Sequence, residues 1–351
     1  MIELKQGDLL SAETEAIVNT VNTVGVMGKG IALQFKKAYP EMFKSYQIAC
    51  KENKVMPGKM FIYERNVMFG PHYIINFPTK RHWKNPSRIE DIREGLKALA
   101  ADIKRLGIKS IALPPLGCGH GGLNWNEVYQ MIQDELGNLE GVEILVFPPQ
   151  NAPAPSKMQN RTERPKWTPS RAHVIHMLGK YFDLGYELTL LEIQKLLYFL
   201  QVAGEPLKLH FEKGTYGPYA DNLRHVLHRF EGHFTSGFGD GSSNKPDTVI
   251  TVFPEAITSA EEYMKKTEKE NDESWARVKQ VEELIEGFES PYGLELLSTV
   301  HWQCSHSESA AESIEAAVEK VHGWNERKKN MMKPAHIKVA WERIKEKNFL
   351  K

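Results

Sequence analysis

Between residues 1 and 150, strand-like apolar segments alternate with amphipathic helical ones, and this alternation restricts the fold more than any other feature of the chain. Strand patterns fall at 1–5, 15–21, 59–64, 72–77, 109–114 and 142–147, and helical patterns at 29–52, 87–106 and 124–138. In RIEDIREGLKALAADIKRLG the apolar residues Ile89, Ile92, Leu96, Leu99, Ile103 and Leu106 recur every three or four positions, which makes one buried helix face. Gly107 stands where a left-handed C-cap would end that helix. Strands linked through helices pair in parallel and are covered on both faces, so an α/β domain with a mixed, largely parallel sheet is expected. Ligands of such sheets bind beyond the carboxyl ends of the strands, in the loops that lead into helices.

Two of those loops are rich in glycine. VNTVGVMGKG, residues 21–30, joins the strand at 15–21 to the helix at 29–52, and PLGCGHGGLNW, 115–125, joins the strand at 109–114 to the helix at 124–138. A helix that starts near Gly28 offers main-chain N–H groups and the positive end of its dipole to an anion, with Lys29 beside it. A phosphate loop of the GxxxxGK[ST] type is excluded because Lys29 is followed by Gly30, leaving no hydroxyl for magnesium. Gly117, Gly119 and Gly122 satisfy GxGxxG, but a dinucleotide site needs an acidic residue ending the next strand, and Glu140 precedes that strand. Two main-chain cradles at one sheet edge instead suit a diphosphate gripped from both sides.

The chain changes character after this region. FPPQNAPAPSKMQNRTERPKWTPSR, 147–171, lacks apolar periodicity and reads as a linker, giving domains at 1–152 and 170–351 with a connection at 153–169. Beyond it the patterns are mostly helical, at 171–183, 189–203, 218–231, 258–287, 292–303, 309–328 and 335–348, with one strand at 247–253. Thr189 followed by Glu192 has the spacing of a capping box. Net charge is zero, yet residues 1–170 carry 22 Lys and Arg against 17 Asp and Glu, and residues 255–319 carry 5 against 16. A mildly basic first half suits an anionic ligand, and the acidic stretch suits either a solvated helix surface or a basic partner. Three scattered cysteines argue against disulfides or a cysteine metal site. His210, His225, His228 and His233 lack a carboxylate or cysteine to complete a ligand set, so no metal is expected. Without a long apolar run or a signal-like N-terminus, a cytoplasmic location and no membrane partner are expected.

GDL at 7–9, AIVNTVNTVGVMGKGIALQFKKAYP at 16–40, INFPTK at 75–80 and PLGCGHGGLNW together resemble the macrodomain family, whose members bind ADP-ribose. The resemblance implies that Asp8 and Leu9 hold the adenine and that Gly28, Lys29, Gly30 and Ile31 meet the diphosphate. It implies a matching role for Leu116, Gly117, Cys118, Gly119, His120, Gly121, Gly122 and Leu123, with Thr20 and Asn22 on the ribose side. Phe147 lines the adenine pocket or belongs to the core.

NFPTK resembles most the lysine-dependent DNA ADP-ribosyl glycohydrolases of DarT/DarG toxin–antitoxin systems, a likeness that extends through LEIQKLLYFLQ at 191–201 and FEKGTYGPYADNLRHVL at 211–227, which is also distantly similar to Panacea-type antitoxin domains. Such enzymes remove ADP-ribose from thymidine in single-stranded DNA, and the resemblance implies that Lys80 is catalytic, with Asn22 and His120 assisting. Cleavage of a ribosyl C1–N bond passes through an oxocarbenium-like state, and an unprotonated lysine can attack C1 directly or form a Schiff base with the opened sugar. Human relatives of this subclass carry an aspartate where this chain has Gly121, which leaves proton transfer to His120 or to another group. In KRHWKNPSR, 80–88, Arg81, His82 and Trp83 fit a single strand with a base on the ring; Trp83 packed on the domain is the plainer alternative. A DNA-binding toxin has a basic groove, so Glu282, Glu283 and Glu286 in the acidic stretch are expected to contact it by DNA mimicry, whereas Ile193, Leu196, Leu197 and Leu200 are core. The expected partners are the DarT-type transferase, ADP-ribosylated single-stranded DNA and ADP-ribose, with no cofactor. A non-catalytic ADP-ribose reader, or a hydrolase of protein-linked ADP-ribose, remains an alternative.

Overall fold

A computed structural model describes residues 1–149, 152–183, 185, 187–242, 245–267 and 272–350. The chain forms two compact units, Met1–Glu163 with Asp240–Ser242, and Arg164–Gly239 with Ser243–Lys351.

In the first unit the elements follow as β1 (Ile2–Leu4), β2 (Ala16–Asn22), α1 (Gly30–Ala38), α2 (Pro40–Lys51), β3 (Phe61–Glu64), β4 (Tyr73–Lys80), α3 (Ile89–Leu106), β5 (Ser110–Leu113), α4 (Trp125–Leu136) and β6 (Glu143–Val146). The six strands lie in the order β1-β6-β5-β2-β4-β3, parallel throughout except for β3 against β4. Alternation along β2 divides the core: Ala16 and Val18 enter the apolar cluster shared with α3 and α4, while Ile17 and Val21 enter the one shared with α1 and α2. The single helix expected at 29–52 is two, broken at Tyr39 because Pro40 lacks the N–H to continue and serves as the first residue of α2. Gly107, at φ 68°, closes α3 as the sequence predicts. β4 runs three residues beyond the apolar pattern, so Lys80 is its last residue and not part of the loop after it.

The second unit contains α5 (Pro169–Asp183), α6 (Leu190–Val202), β7 (Glu212–Gly214), β8 (Gly217–Tyr219), α7 (Leu223–Phe230), β9 (Thr235–Ser236), β10 (Thr251–Val252), α8 (Pro254–Lys266), α9 (Asp272–Ile285), α10 (Pro291–His306), α11 (Glu308–Glu312), α12 (Ile314–His322), α13 (Glu326–Met331) and α14 (Pro334–Glu346). Thr189 and Glu192 form the capping box of α6, and Ile193, Leu196, Leu197 and Leu200 are buried. The helix expected at 218–231 begins only at Leu223. Gly217, at φ 99°, turns the hairpin of β7 and β8, and the Asn222 amide then ties Lys208 and His210 across the entry to α7. The helix expected at 258–287 is observed as α8 and α9, its middle at 268–271 lying outside the described residues. The helix expected at 309–328 is divided into α11, α12 and part of α13, where Ser313 and Asn325 cap new starts.

A charged cluster lies inside this helical unit. Glu295 accepts from Lys328 Nζ at 2.8 Å and from Arg327, and Lys328 also donates to the Thr299 hydroxyl at 2.9 Å. Burial alone would raise the Glu295 pKa, but Arg327 and Lys328 hold it below the usual carboxylate value. Lys195, buried nearby and bonded to the Pro218 carbonyl at 2.7 Å, is pushed down to about 7 by burial and by Lys328. No helix among the described residues is long and apolar enough to cross a membrane.

Candidate active site

The register between β2 and β4 assembles the site. Val21 pairs with Pro78 and Asn22 with Lys80, so a bulge at Thr79 brings Lys80 level with the end of β2, at the carboxyl edge of the sheet. Thr23 then fastens the first glycine loop to β4: its N–H donates to the Lys80 carbonyl at 3.1 Å and its hydroxyl to the Arg81 carbonyl at 2.6 Å. Thr23 was not recognisable from the sequence, because the bulge that aligns it is a product of strand pairing.

Asn22 lies at this edge, but its amide is engaged by its own loop. Oδ1 accepts from the N–H groups of Val24 and Val26 at 3.0 and 3.3 Å, and Nδ2 donates to the Val26 carbonyl at 2.6 Å. Tyr46 of α2, fully buried, donates its hydroxyl to the Asn22 carbonyl. Asn22, expected on the ribose side, fixes the shape of residues 22–26 through these bonds. α1 begins at Gly30, in the left-handed region at φ 58°, and its N-cap Lys29 is exposed and supplies no side-chain cap. Gly28 is exposed as well, and Ile31 and Thr20 are half-buried.

The second glycine loop closes on the same place. A Cβ on Gly30 would come within 3.5 Å of the His120 ring. Lys80 Nζ donates to the His120 carbonyl at 2.5 Å, and partial burial lowers the Lys80 pKa below its ordinary value. The amine is thereby oriented by a neutral acceptor, and among the described residues no carboxylate lies within ion-pair distance to offset the effect of burial. The imidazole of His120 is exposed, and it is the main chain of this residue that the fold brings to Lys80.

The turn is held by Cys118 N–H to Pro115 O at 3.0 Å, Gly122 N–H to Gly119 O at 3.1 Å and Leu123 N–H to Gly117 O at 3.1 Å. A Cβ on Gly121 would lie 2.2 Å from the Gly117 carbonyl and 2.3 Å from the Ser87 hydroxyl, so no aspartate fits at this position without rebuilding the loop. Leu116 is fully buried, with Leu123 and Cys118 packed on the same cluster, so these three support the loop from beneath. Burial pushes the Cys118 thiol up to about 11, which removes it as a nucleophile near neutral pH.

Asp8, expected to hold the adenine, caps a short 3-10 turn, its carboxylate accepting from Leu10 N–H and from the Ser11 hydroxyl at 3.0 Å each. Leu9 and Phe147 are both buried, in one apolar cluster. Beside Lys80, Arg81 is engaged by Asp91 at the start of α3, in a bidentate pair at 3.0 and 3.2 Å. This pair, whose Arg81 side chain is 56% exposed, anchors residues 81–88 to α3. Trp83 is 45% exposed, with the His82 ring stacked on it at 5.5 Å and Lys84 Nζ 5.0 Å from its centroid. Glu282, Glu283 and Glu286 are exposed at the end of α9 in the other unit.

Comparison with known proteins places these features in a family. The macro domain model matches residues 18–132. A "DNA ADP-ribosyl glycohydrolase" of Thermus aquaticus is 45% identical over 100% of this chain and 95% of its own length, and one of Mycobacterium tuberculosis is 43% identical over 98% and 99%. A "DNA ADP-ribosyl transferase-DNA ADP-ribosyl glycohydrolase fusion protein" of Thermosipho africanus is 36% identical over 42% of each chain. With likeness of this degree running end to end through both units, the chain belongs to the DNA ADP-ribosyl glycohydrolase family, its first unit being the macrodomain.

Proposed function

We propose that the first unit hydrolyses the N-glycosidic bond of ADP-ribosylated thymidine in single-stranded DNA and that the second unit binds the transferase that makes the modification. The observation that carries the catalytic reading is the Lys80 amine, lowered in pKa and held by the His120 carbonyl between two glycine loops at one sheet edge. Main-chain N–H groups of the two glycine loops, residues 28–31 and 119–122, bind the diphosphate, those of Gly30 and Gly122 excepted because they donate to the Asp240 and Gly119 carbonyls, and this brings the distal ribose to the amine. The neutral amine attacks C1, a C1–N bond to lysine forms as the C1–N bond to the base breaks, and the electron pair leaves on the base nitrogen, which takes up a proton. Water then releases ADP-ribose and regenerates the amine, so no cofactor enters. Trp83, with His82 against it, stacks a base of the strand beside the reacting nucleotide.

Toxin binding rests on the exposed residues Glu282, Glu283 and Glu286, the second with Lys347 Nζ 3.8 Å from its carboxylate, which match the basic groove that a DNA-modifying enzyme needs, and on the relative in which transferase and glycohydrolase are one chain. Both activities belong in the cytoplasm, where the DNA is. ADP-ribosylated oligonucleotide incubated beside ADP-ribosylated protein tests the substrate: release of ADP-ribose from DNA and not from protein supports the reading, and the reverse contradicts it.

A further inference from the structure

The opposite edge of the same sheet carries a second groove, of about 630 Å³, at the amino ends of β2, β4 and β5. Its principal walls come from Tyr39, Arg65, Phe69, His72, Gln159 and Arg161. Tyr39, buried at the junction of α1 and α2, has the Arg65 guanidinium 4.9 Å and the Arg161 guanidinium 5.8 Å from its ring centroid. Arg65 also donates to the Pro71 carbonyl at 2.8 Å. One ring and one carbonyl thus hold two permanent cations at the same opening, and among the described residues neither has a carboxylate within ion-pair distance. Of the two carboxylates on the lining, Glu15 accepts the Lys109 N–H and Glu13 is exposed to solvent. Cations that stay unpaired beside a cavity mark an anion site, and guanidinium forks suit phosphate oxygens. Next to them Phe69 is 86% exposed and the adjoining Met68 88%, an apolar tip at the mouth of the groove.

We propose that this groove is a second nucleic-acid site, in which Arg65 and Arg161 take phosphates of the single strand and Phe69 stacks one of its bases. The proposal rests on the strand being the substrate, as argued above, and adds a distal contact to it. Cations interleaved with an exposed aromatic ring are the chemistry of sequence-tolerant strand binding. The groove is separated from Lys80 by the length of β2, about 23 Å at 3.3 Å per residue. A stacked strand advances about 3.4 Å per nucleotide, so about seven nucleotides are the least that reach from one site to the other.

Length dependence is therefore the test. Fluorescence anisotropy of the full chain is measured with unmodified oligothymidylates of about five and about twenty nucleotides, the second long enough to span both sites and the first not. The double variant Arg65→Ala/Arg161→Ala is expected to bind the longer probe about tenfold more weakly, with the salt slope flattened by about 1.4 for two lost phosphate contacts. The shorter probe and hydrolysis of a modified nucleotide are expected to be unchanged. If the double variant does not fold, Met68→Ser/Phe69→Ala, which alters only exposed side chains, is expected to weaken the longer probe alone. Equal affinity and slope for wild type and a folded variant overturn the proposal. Equal weakening of both probes, or of thymidine monophosphate, overturns it in favour of a small-anion site. A wild type that binds neither probe, yet hydrolyses modified protein, overturns the DNA reading itself.

Discussion

Lys80 and Asn22 are register partners across the bulged ends of β4 and β2, and each is held by main chain from a different glycine loop: Lys80 by the His120 carbonyl, Asn22 by the Val24 and Val26 N–H groups and the Val26 carbonyl of its own turn. The Lys80 amine is therefore set by strand pairing and by two loops at once, which is how a flexible side chain acquires one position.

The pH profile follows from the state of that amine. Only the neutral form is nucleophilic, and burial lowers the Lys80 pKa, so the proton is lost at lower pH than from an ordinary lysine. Turnover on modified oligonucleotide is expected to rise with pH and to level off below 10.5, the ordinary value. Lys80→Arg, charged at every accessible pH, is expected to lower turnover at least about a hundredfold across the whole range. A flat profile, or an active arginine variant, would show that a protonated group suffices.

Gly121→Ala tests the loop. Its Cβ would meet the Gly117 carbonyl at 2.2 Å, a main-chain atom that cannot swing aside. Overpacking of this kind costs about 1–3 kcal/mol, and the displaced 117–122 turn is expected to lose about tenfold or more in ADP-ribose affinity by calorimetry. Gly119→Ala, where a Cβ meets nothing within 4 Å, is the control and is expected to fold and bind more nearly as wild type.

Trp83→Ala separates the strand from the nucleotide. Base stacking is worth about 1–3 kcal/mol, so the KM for modified oligonucleotide is expected to rise about tenfold or more while free ADP-ribose binds unchanged. Loss of both affinities together would return Trp83 to a structural role.

The buried charges of the second unit make a prediction about stability. Glu295→Ala leaves Lys328, fully buried, without its anion, and removing one partner of such a pair costs about 3–5 kcal/mol. Urea unfolding is expected to shift accordingly. In the wild type, Lys195 titrates at about 7 in the folded state against 10.5 in the ordinary one. Between those values the unfolded chain binds the extra proton, so this residue makes stability rise with pH through the window, an increment that Lys195→Met is expected to abolish.

The sheet, the α3 cap and the capping box were legible because each is local: alternation, one glycine, and a threonine and glutamate three apart. The break at Pro40 was equally visible in the sequence and is the punctuation the long helical pattern concealed. The hairpin of β7 and β8 was not legible, since three-residue strands with glycine at their ends carry no alternation to read. At the site, the glycine loops could be found by spacing, and Lys80 by the resemblance of NFPTK to a lysine-dependent family. The pairing of Arg81 with Asp91, the hold of Tyr46 on Asn22 and the use of the His120 carbonyl in place of its ring could not, because each joins residues at least ten positions apart whose meeting depends on the folded sheet.

The most direct measurement is Lys80→Ala assayed twice on one preparation, for release of ADP-ribose from modified oligonucleotide and for ADP-ribose affinity by calorimetry. Turnover is expected to fall about 10²–10⁴-fold with the affinity kept within a few-fold, since the diphosphate is gripped by main chain that the substitution does not touch. Undiminished release from the alanine variant would contradict the account.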